Sequence, residues 1–513
     1  MTMRRALRLD ELFVLIGLFA GAKLLLHLVA TSGYGYFRDE FYYLACADHL
    51  APGYVDHPPL SIVFMWAVRH VLGDSLFAIR LPPAVLGAAT VALVGLMAQA
   101  LGGERWAMAL AMTAAFVAPE YLALNHFYSM NAFDIFFWAL AAYLLILLID
   151  GANPRLWLLL GLVLGLGLAN KISVLWLGAG LLVGLLAAPE RRWLATPWPW
   201  LCGGIAFALF APYVLWQVRH GWPTLEFIHN ATTEKMIDVA PLDFLTGQVR
   251  MMHPFTLPLW LGGLAWLLFH PDGKKYRLLG WIYLSVFFVL ALSGTSRSGY
   301  LAPAYTWLFA AGGVGVEKLL EGKRLAWLRP AGVLILIAGG ALAAPLALPL
   351  LPVETYIPYA RALGDRPSTE ERKELGELGQ FYADMHGWDA IVGTVVEVYR
   401  RLPPEDAAAA RIFAPDYGVA GAIDLLGRRQ GLPPAISGHN NYWFWGPRGW
   451  DGRVLIVVGG TEERLRVLFE TVERASTLDC GRCMPYENGR PVWVCRRLRQ
   501  PVAEVWARIK HYD

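Results

Sequence analysis

Long apolar stretches separated by short polar connections occupy about the first two thirds of the chain. A helix needs roughly 20 apolar residues to cross the hydrocarbon core of a bilayer, and this rule predicts about eleven spans. The predicted spans are Glu11–Ala30, Leu76–Leu101, Trp106–Leu124, Ala132–Ile149, Leu156–Ala169, Ile172–Ala188, Trp198–Val218, Phe255–Phe269, Leu278–Leu292, Leu301–Val316 and Ala331–Leu351. The alternative for the adjacent fifth and sixth segments is one broken pair or a re-entrant unit. The pattern predicts a polytopic α-helical membrane protein.

Basic residues alternate between the connections and predict the orientation of the spans. Cytoplasmic connections carry an excess of Lys and Arg. The residues that mark predicted cytoplasmic ends are Arg4, Arg5, Arg8, Arg105, Arg155, Arg191, Arg192, Lys274, Lys275, Arg277, Lys323 and Arg324. We therefore expect a cytoplasmic N-terminus, held by an uncleaved first span, because no small-residue cleavage site follows it. An odd number of spans places the C-terminus on the extracytoplasmic side.

The two long connections left outside, residues 31–75 and 219–254, are where we expect function. In the first of them, Asp39–Leu50 and Pro59–Val71 have helical periodicity but are too short and too polar to span a bilayer. Amphipathic helices of this kind lie in the membrane interface.

After Pro352 the pattern changes to alternating helix-like and strand-like stretches. The predicted elements are helices Gln380–Arg401, Val419–Arg429 and a Thr-capped Thr461–Ala475, and strands Ala410–Ala414, Arg453–Gly459 and Pro491–Arg496. A glycine pair, Gly459 and Gly460, follows one strand, but neither a Walker-type lysine nor GxGxxG spacing accompanies it. The sequence predicts a C-terminal extracytoplasmic α/β domain without a nucleotide site.

Composition sharpens this division. The chain is 56% hydrophobic and only 17% charged, too apolar for one water-soluble globule. Charged residues become dense only after Val353, which predicts a transmembrane domain over residues 1–352 and a soluble domain over residues 353–513. The formal net charge of +3 and the lack of a long Lys/Arg run exclude nucleic acid as an expected partner.

Three cysteines, Cys480, Cys483 and Cys495, fall in the predicted soluble domain. Zinc would need a fourth ligand at suitable spacing, and none is evident. On an oxidising face of the membrane we expect Cys495 to pair with one member of the CxxC motif. Unpaired thiols are the alternative.

Ionisable side chains collect in the first outer connection and are the first candidates for chemistry. Arg38, Asp39 and Glu40 follow a Tyr/Gly-rich stretch, and Tyr42, Tyr43 and His57 come soon after. The structural alternative for Asp39 is a helix N-cap, a position that Asp favours.

A second group of candidates lies near the predicted outer ends of later spans. Asp134 stands a turn inside its span, where a lone carboxylate is costly, so it should face the interior of the bundle. Lys171, His253 and Arg297 are cations on the same side, although snorkelling is a common alternative. A cationic cluster binds a phosphate while a carboxylate activates a hydroxyl, which is the chemistry needed to displace a lipid phosphate from a sugar carbon.

These motifs resemble those of the integral-membrane C-type glycosyltransferases of family 39 and the aminoarabinose-transferase group, which includes the protein O-mannosyltransferases. The resemblance covers roughly residues 11–353. It is carried by YFRDEFYYLACADHL and YVDHPPL in the first connection, FDIFF around Asp134, GLGLANK ending at Lys171, and SRSGYLAPAY, which contains Arg297 and Tyr300.

The resemblance implies inverting transfer of a sugar from a polyprenyl-phosphate donor to a glycan, lipid or protein acceptor. It implies a site outside the bacterial cytoplasmic membrane. The displacement chemistry itself requires no metal motif, so we expect neither a metal nor a cofactor. Asp39 would be the catalytic acid-base residue, with Glu40 its partner and Asp134 a second acid. Donor phosphate and substrate would be bound by Arg38, Tyr42, Tyr43, His57, Lys171, His253, Arg297 and Tyr300. One departure is His57, which stands where the aminoarabinose-transferase branch usually has a lysine before Pro-Pro-Leu.

Two other classes of protein fit parts of the pattern. A secondary transporter is expected to have matching halves with broken polar helices at mid-membrane. Here the ionisable residues collect at one face and the halves do not match. A membrane-anchored sensing or binding protein would have no need for Asp39, Asp134 and Arg297 to converge.

Overall fold

The computed structural model describes residues 9–31, 33–321, 325 and 327–513. The chain forms two compact units, each assembled from three separate segments. The helical unit comprises the described parts of residues 1–31, 77–215 and 238–352, and the α/β unit those of residues 32–76, 216–237 and 353–513. Five basic residues predicted to mark cytoplasmic ends lie outside the described residues: Arg4, Arg5, Arg8, Lys323 and Arg324.

Helices dominate both units and alternate with short 3-10 and π turns. In chain order they are α1 Leu9–Ala30, α2 Arg38–Ala47, α3 Leu60–Leu72, α4 Leu76–Ala100, α5 Arg105–Val117, α6 Pro119–Leu124, α7 Met130–Ile149, α8 Leu156–Asn170, α9 Val174–Ala187, α10 Trp198–Arg219, α11 Pro223–Asn230, α12 Pro241–Met251, α13 Leu257–Phe269, α14 Arg277–Ala291, α15 Tyr305–Leu319, α16 Leu328–Ala347, α17 Val353–Ala362, α18 Gln380–Ala383, α19 Trp388–Arg400, α20 Pro404–Ala409, α21 Tyr417–Ala422, α22 Asn441–Phe444, α23 Glu462–Leu468 and α24 Val502–Arg508.

All of the predicted apolar segments are helical. Among the described residues, five helices are long and apolar enough to cross a membrane: α1 from Asp10, α4, α7, α10 and α16. Two sharply bent pairs raise this number to seven if each is one span: α9 with the 3-10 helix Pro189–Ala195, and α12 with the segment Pro254–Phe269. The shorter helices α5 and α8 are also apolar. The chain is therefore a multi-pass membrane protein.

The predicted span Trp106–Leu124 is wrong as a single helix. It breaks at Ala118 into α5 and α6, and Pro119 opens the second piece. Proline has no N–H to donate and its ring clashes with the preceding turn, so it begins a helix more readily than it continues one.

Small residues let the helices of the helical unit approach closely. A Cβ placed on Gly263 of α13 would collide with the carbonyl of Leu308 in α15, and one on Gly312 of α15 would collide with the carbonyl of Leu259 in α13. Without a hydrophobic driving force between helices in lipid, such close backbone packing stabilises the bundle. The indole rings of Trp138 and Trp307 also pack in the interior of this unit, where they stack with ring centroids 6.3 Å apart.

The α/β unit is built on one mixed sheet. Its strands are β1 Ala410–Phe413, β2 Ala435–Ile436, β3 Val454–Val458, β4 Phe469–Thr477 and β5 Pro491–Leu498. Their order is β2-β1-β3-β5-β4, with β1 parallel to β2 and β3, and β5 antiparallel to β3 and β4. The continuous apolar run of β3 is buried along its whole length, as a central strand covered on both faces requires.

Two predicted helices of the α/β unit are wrong in part. Thr461–Ala475 is helical only to Leu468, after which Phe469 begins β4, whose residues pair with β5. That pairing depends on a distant strand, so a local helical pattern does not reveal it. Gln380–Arg401 breaks into α18 and α19, and Gly387, with φ of 88°, precedes the second piece.

The predicted disulfide between Cys495 and the CxxC motif is wrong. The structure joins Cys480 to Cys483, while Cys495 is a free, buried thiol. Cys495 lies in β5 opposite Leu455 and Val472 and packs in the core of the sheet. Its place in the strand is fixed by sheet pairing and core packing, whereas the two bonded cysteines share one turn.

Candidate active site

The first turn of α2 carries the acidic pair. Glu40 is fully buried, and its Oε2 accepts a hydrogen bond from the backbone N–H of Phe37 at 2.8 Å. This satisfies one of the free N–H groups at the start of the helix, where a negative charge is also favourable. The cap of α2 is thus supplied by Glu40, and Asp39 is left to another partner.

Asp39 contacts a side chain that the sequence did not suggest. Its Oδ1 accepts a hydrogen bond from the phenol of Tyr417 at 2.9 Å. Burial raises the pKa of the Asp39 carboxyl. The hydrogen bond from Tyr417 and the positive charges of Lys235 and Arg38 oppose this rise. Asp39 is therefore a partly buried carboxylate whose charge depends on a phenol and on cations of its own unit.

Arg38 is surrounded by carboxylates within the α/β unit. Its Nε lies 3.0 Å from Asp384 Oδ1, its Nη1 lies 3.4 Å from Asp416 Oδ1, and its Nη2 contacts Glu487 Oε1. The guanidinium also lies 5.6 Å from the ring centroid of Trp388. The sequence predicts that Arg38 binds the donor phosphate. In the structure, its positive charge instead forms ion pairs with these three carboxylates.

The acids around Arg38 differ in pKa. Burial raises the pKa of Asp384 to about 6 and that of Glu487 to about 7, and Arg38 opposes both shifts. Burial also acts on Asp416, but the charges of Arg38 and Arg490 outweigh it and hold its pKa at about 2. The cluster therefore contains more acid than base, and its charge changes near neutral pH.

The aromatic residues after Asp39 surround His57. The ring of His57 stacks on Tyr43 with centroids 5.0 Å apart, and its Nδ1 donates to the carbonyl of Pro58 at 3.0 Å. The phenol of Tyr42 donates to Asp56 Oδ1 at 2.9 Å, and the same oxygen lies 3.9 Å from His57 Nε2. The structure thus brings three predicted residues together around Asp56, an acid of the same loop that was not among the predicted site residues.

The helical unit holds a second group of predicted residues. Asp134, only 2% exposed on α7, has its Oδ2 3.4 Å from Lys171 Nζ and accepts from Ser173 Oγ at 2.7 Å. Lys171 Nζ also lies 5.4 Å from the ring centroid of Tyr300. This confirms that Asp134 faces the interior, and it joins Asp134, Lys171 and Tyr300 in one cluster.

Arg297 lies beside this cluster in sequence, and its carbonyl accepts from the N–H of Tyr300 at 3.1 Å. The same loop lies against Glu120, because a Cβ on Gly299 would collide with the Glu120 carboxylate. Glu120 was not among the residues predicted from the sequence. His253 packs elsewhere: its ring lies against Gly339 of α16, and its Nδ1 accepts from the N–H of Phe255 at 3.2 Å.

One group of potential metal ligands occurs among the described residues: His439, His511 and Asp513, with ligand atoms within 4.8 Å of one another. His439 Nδ1 accepts from the N–H of Tyr417 at 3.2 Å, so its Nε2 carries the proton and donates to Asp513. A hydrogen bond therefore holds Asp513 beside His439, ring stacking holds His511 there with centroids 4.7 Å apart, and a proton on Nε2 of His439 occupies the atom that would bind an ion.

Known proteins are similar to this chain in sequence and in fold. The family model for dolichyl-phosphate-mannose-protein mannosyltransferases matches residues 56–216. The lipid A galacturonosyltransferase of Rhizobium johnstonii is 24% identical over 389 residues, which cover 74% of this chain and 79% of that protein. Crystal structures of ArnT from Cupriavidus metallidurans, apo and bound to undecaprenyl phosphate, both match with a TM-score of 0.62. The apo structure is 13% identical and covers 93% of this chain and 97% of its own. The structure with undecaprenyl phosphate is 14% identical and covers 94% of this chain and 98% of its own.

The chain is a membrane glycosyltransferase that has the fold of the C-type enzymes. The predicted fold class is confirmed, since the helical bundle carries a C-terminal α/β sheet. In this glycosyltransferase the family match contains His57, Asp134 and Lys171, whereas Asp39 and Arg297 lie outside it. The roles of Asp39 and Arg297 therefore rest on their own surroundings in the structure.

Proposed function

We propose that this glycosyltransferase transfers a sugar from a polyprenyl-phosphate donor to an acceptor at the outer face of the bacterial cytoplasmic membrane. The acceptor is a glycan, lipid or protein. The reaction inverts the anomeric carbon and uses no metal or other cofactor. The observation that carries this proposal is the partly buried carboxylate of Asp39, whose pKa is raised by burial against the opposing effect of a phenol and two cations of its unit.

The relatives support the donor. One structure with the same fold is ArnT from Cupriavidus metallidurans bound to undecaprenyl phosphate, and the relative from Rhizobium johnstonii is named as a lipid A galacturonosyltransferase. A multi-pass helical unit suits a donor whose polyprenyl tail remains in the bilayer. The orientation of the basic connections supports an outer site.

The proposed chemistry is a single displacement. The acceptor hydroxyl attacks the anomeric carbon while Asp39 takes its proton. The bond between that carbon and the phosphate oxygen breaks, and its electron pair leaves with the phosphate. Burial raises the pKa of Asp39, which makes its carboxylate a stronger base, and the charges of Lys235 and Arg38 oppose that shift. Attack from the side opposite the phosphate gives inversion.

Lys171 is the phosphate ligand with the clearest structural support. Its ammonium lies 3.4 Å from Asp134 and 2.8 Å from the amide oxygen of Asn131, so it is held in place before substrate arrives. A positioned cation stabilises the negative charge that grows on the departing phosphate. Arg297 and His57 complete the proposed phosphate-binding set, and Asp134 positions Lys171, whereas His253 packs against Gly339 and is left out of the set.

Removal of the Asp39 charge tests the proposal. Asp39→Asn keeps an acceptor for the Tyr417 phenol, so we expect the α/β unit to stay folded while turnover falls by about 100-fold or more, the usual scale for loss of a general base. The measurement is release of radiolabelled sugar from a polyprenyl-phosphate donor by the purified full chain. Asp389→Asn, an exposed acid on α19 of the same unit, is the matched control. A folded Asp39→Asn enzyme with the parent rate would refute the assignment.

The orientation has its own test. We expect a C-terminal alkaline phosphatase fusion to be active, because that enzyme folds only outside the cytoplasm, where disulfides form. An inactive fusion, together with an active cytoplasmic reporter at the same position, would place the α/β unit on the wrong side for the proposed reaction.

A further inference from the structure

Two residues from different parts of the α/β unit cap the N-terminus of α21. Oδ1 of Asp416 accepts hydrogen bonds from the backbone N–H groups of Gly418 and Val419, each at 3.0 Å. The N–H of Tyr417, the first residue of the helix, needs another partner, because the first N–H groups of an α-helix have none within it. That partner is Nδ1 of His439, at 3.2 Å. His439 thus completes the cap that Asp416 begins.

The residue that His439 caps is the one that bonds Asp39. The Tyr417 phenol donates to Asp39 Oδ1 at 2.9 Å, while its backbone N–H donates to His439. The Tyr417 ring also packs on the His439 ring, with centroids 4.7 Å apart. A displacement of the start of α21 would therefore move the phenol away from Asp39.

His439 is itself fixed by residues that follow α24. Its Nε2 lies 3.2 Å from Asp513 Oδ1, and its ring stacks on His511. The backbone on either side pairs with His511: the N–H of Asn440 donates to the His511 carbonyl at 3.1 Å, and the N–H of His511 donates to the Gly438 carbonyl at 3.0 Å. Only 5% of His439 is exposed. Its ring therefore has little room to turn.

The same short segment supports a second ring of the site. Tyr42 stacks on Tyr417 with centroids 4.6 Å apart, and the backbone N–H of Asn441 donates to the Tyr42 phenol oxygen at 3.3 Å. His439 and Asn441, two positions apart, thus contact both stacked tyrosines. A residue that served only to cap α21 would have no reason to belong to this arrangement.

We propose that His439 is a positioning residue of the candidate active site, which keeps the Tyr417 phenol on Asp39 by accepting the backbone N–H of Tyr417. His439 itself touches neither Asp39 nor the reacting atoms. Its hold on Tyr417 stands on the hydrogen bonds alone. Its effect on turnover rests on the proposed function of Asp39.

The two nitrogens of His439 allow a matched pair of variants. Nδ1 accepts from Tyr417 and Nε2 donates to Asp513, so the two contacts require opposite roles. Asparagine places its amide oxygen near the position of Nδ1 and keeps the acceptor for Tyr417. Glutamine places its amide near the position of Nε2 and keeps only the contact with Asp513.

The first measurement needs no turnover. Hydrogen exchange in the purified full chain is followed by mass spectrometry of peptides that cover residues 416–422. We expect the Tyr417 amide to be protected in the parent and to exchange about 10-fold faster in His439→Gln, where a buried donor loses its acceptor. His439→Asn should restore the protection. His229→Gln, which changes an exposed histidine at the end of α11, is the control and should match the parent.

The second measurement is the pH–rate profile of sugar transfer. The phenol of Tyr417 lowers the pKa of Asp39, so His439→Gln should move the acidic limb to higher pH, by up to about one unit. His439→Asn should keep the limb of the parent. In the Tyr417→Phe background, where the phenol is already absent, His439→Gln should add no further shift. A cap that is only structural would lower the unfolding temperature of His439→Gln and leave the limb in place.

Three results would overturn the inference: rapid exchange of the Tyr417 amide in the parent, equal exchange in the parent and His439→Gln, or a limb that Tyr417→Phe moves and folded His439→Gln does not. The first needs no variant, and His439→Leu is a second substitution that removes the acceptor. A profile that neither Asp39→Asn nor Tyr417→Phe alters would instead refute the proposed function, while amide exchange would still decide whether His439 holds Tyr417.

Discussion

The two units of this glycosyltransferase hold their key acids in different ways. In the helical unit, Asp134 is paired with one lysine, Lys171, and one hydroxyl, Ser173. In the α/β unit, Asp39 contacts a phenol, while the neighbouring Arg38 serves Asp384, Asp416 and Glu487. Charge in the helical unit is compensated by a local pair, whereas in the α/β unit it is spread through a network.

This difference follows from the surroundings. Inside a membrane bundle, each unpaired charge is expensive, so a local partner is needed for every acid. In the α/β unit, one arginine beside Asp39 ties the first connection to three distant parts of the chain. Asp39 thereby gains a fixed position without a direct ion pair, which leaves its carboxylate available to take a proton.

The largest expected effect comes from removing the centre of the network. Arg38→Met leaves its carboxylates buried without a cation, and breaking a buried ion pair in this way costs about 3–5 kcal/mol. We expect the α/β unit to unfold or become protease-sensitive in the full chain, and activity to be lost with it. The measurement is limited proteolysis with thermal unfolding.

Arg38→Lys should recover part of the stability but not all, since an ammonium lacks the fork of donors that a guanidinium offers. The exposed Arg464→Met on α23 is the control and should behave like the parent. Equal protease resistance of Arg38→Met and the parent would show that the network is not structural.

The local pair in the helical unit predicts a different outcome. Lys171→Met leaves Asp134 buried without its cation, so both stability and donor use should fall, with activity reduced by about 10-fold or more. The double variant Lys171→Met with Asp134→Asn should recover thermal stability but not activity, because the buried charge is gone and the phosphate ligand is still missing. Recovery of activity in the double variant would contradict a phosphate role for Lys171.

The network also predicts a dependence of stability on pH. Burial raises the folded pKa of Asp384 to about 6 and of Glu487 to about 7, so each contributes stability below its unfolded pKa and loses it as pH rises through the folded value. The pKa of Asp416 is lowered to about 2, so its ionised carboxylate contributes stability that is lost as the pH falls. That loss begins only below about pH 4 and does not affect the comparison of pH 5 with pH 8. We expect a higher unfolding temperature at pH 5 than at pH 8.

Glu487→Gln should remove much of that difference, because glutamine cannot ionise. The exposed Glu405→Gln at the start of α20 should retain it. An unfolding temperature that rises from pH 5 to pH 8 in the parent would contradict the assignment of raised pKa values to the cluster.

The smallest effect is expected at the phenol beside Asp39. Tyr417→Phe removes the hydrogen bond that lowers the pKa of Asp39, so that pKa should rise further. The acidic limb of the pH–rate profile should then move to higher pH, by up to about one unit. Tyr399→Phe, which removes a phenol bonded to the carbonyl of Ala407, should leave the profile unchanged. A limb that stays in place would show that Asp39 does not control it.

The sequence predicted the helices well because apolar length is a local property. It also singled out Asp39, Asp134 and Lys171 as candidates, because an ionisable side chain near the end of a span is costly unless it has a function. It did not find Tyr417 or Asp384, because these partners stand 378 and 346 residues away from Asp39 and Arg38. Those contacts depend on how the chain folds back, which no local pattern encodes.

The same limit explains the errors in the α/β unit. The stretch from Phe469 to Thr477 has an acceptable helical pattern on its own, and only pairing with β5 makes it a strand. Likewise, the pairing of cysteines was judged from their clustering in sequence, whereas Cys495 is committed to the core of the sheet. Local signals failed where distant partners decide the outcome.

The segmented α/β unit has a consequence for how the protein is made. Arg38 and its partner Glu487 are 449 residues apart, so a ribosome adding roughly 5–20 residues each second needs about 20–90 s to supply the second after the first. For most of that interval the arginine has no acid to meet, because Asp384, the first of its three partners along the chain, follows only 346 residues later. Until then the helix that carries Asp39 lacks the later parts of its unit. A chain interrupted before the last strands therefore cannot yield a partly active enzyme, and catalysis begins only when synthesis is nearly complete.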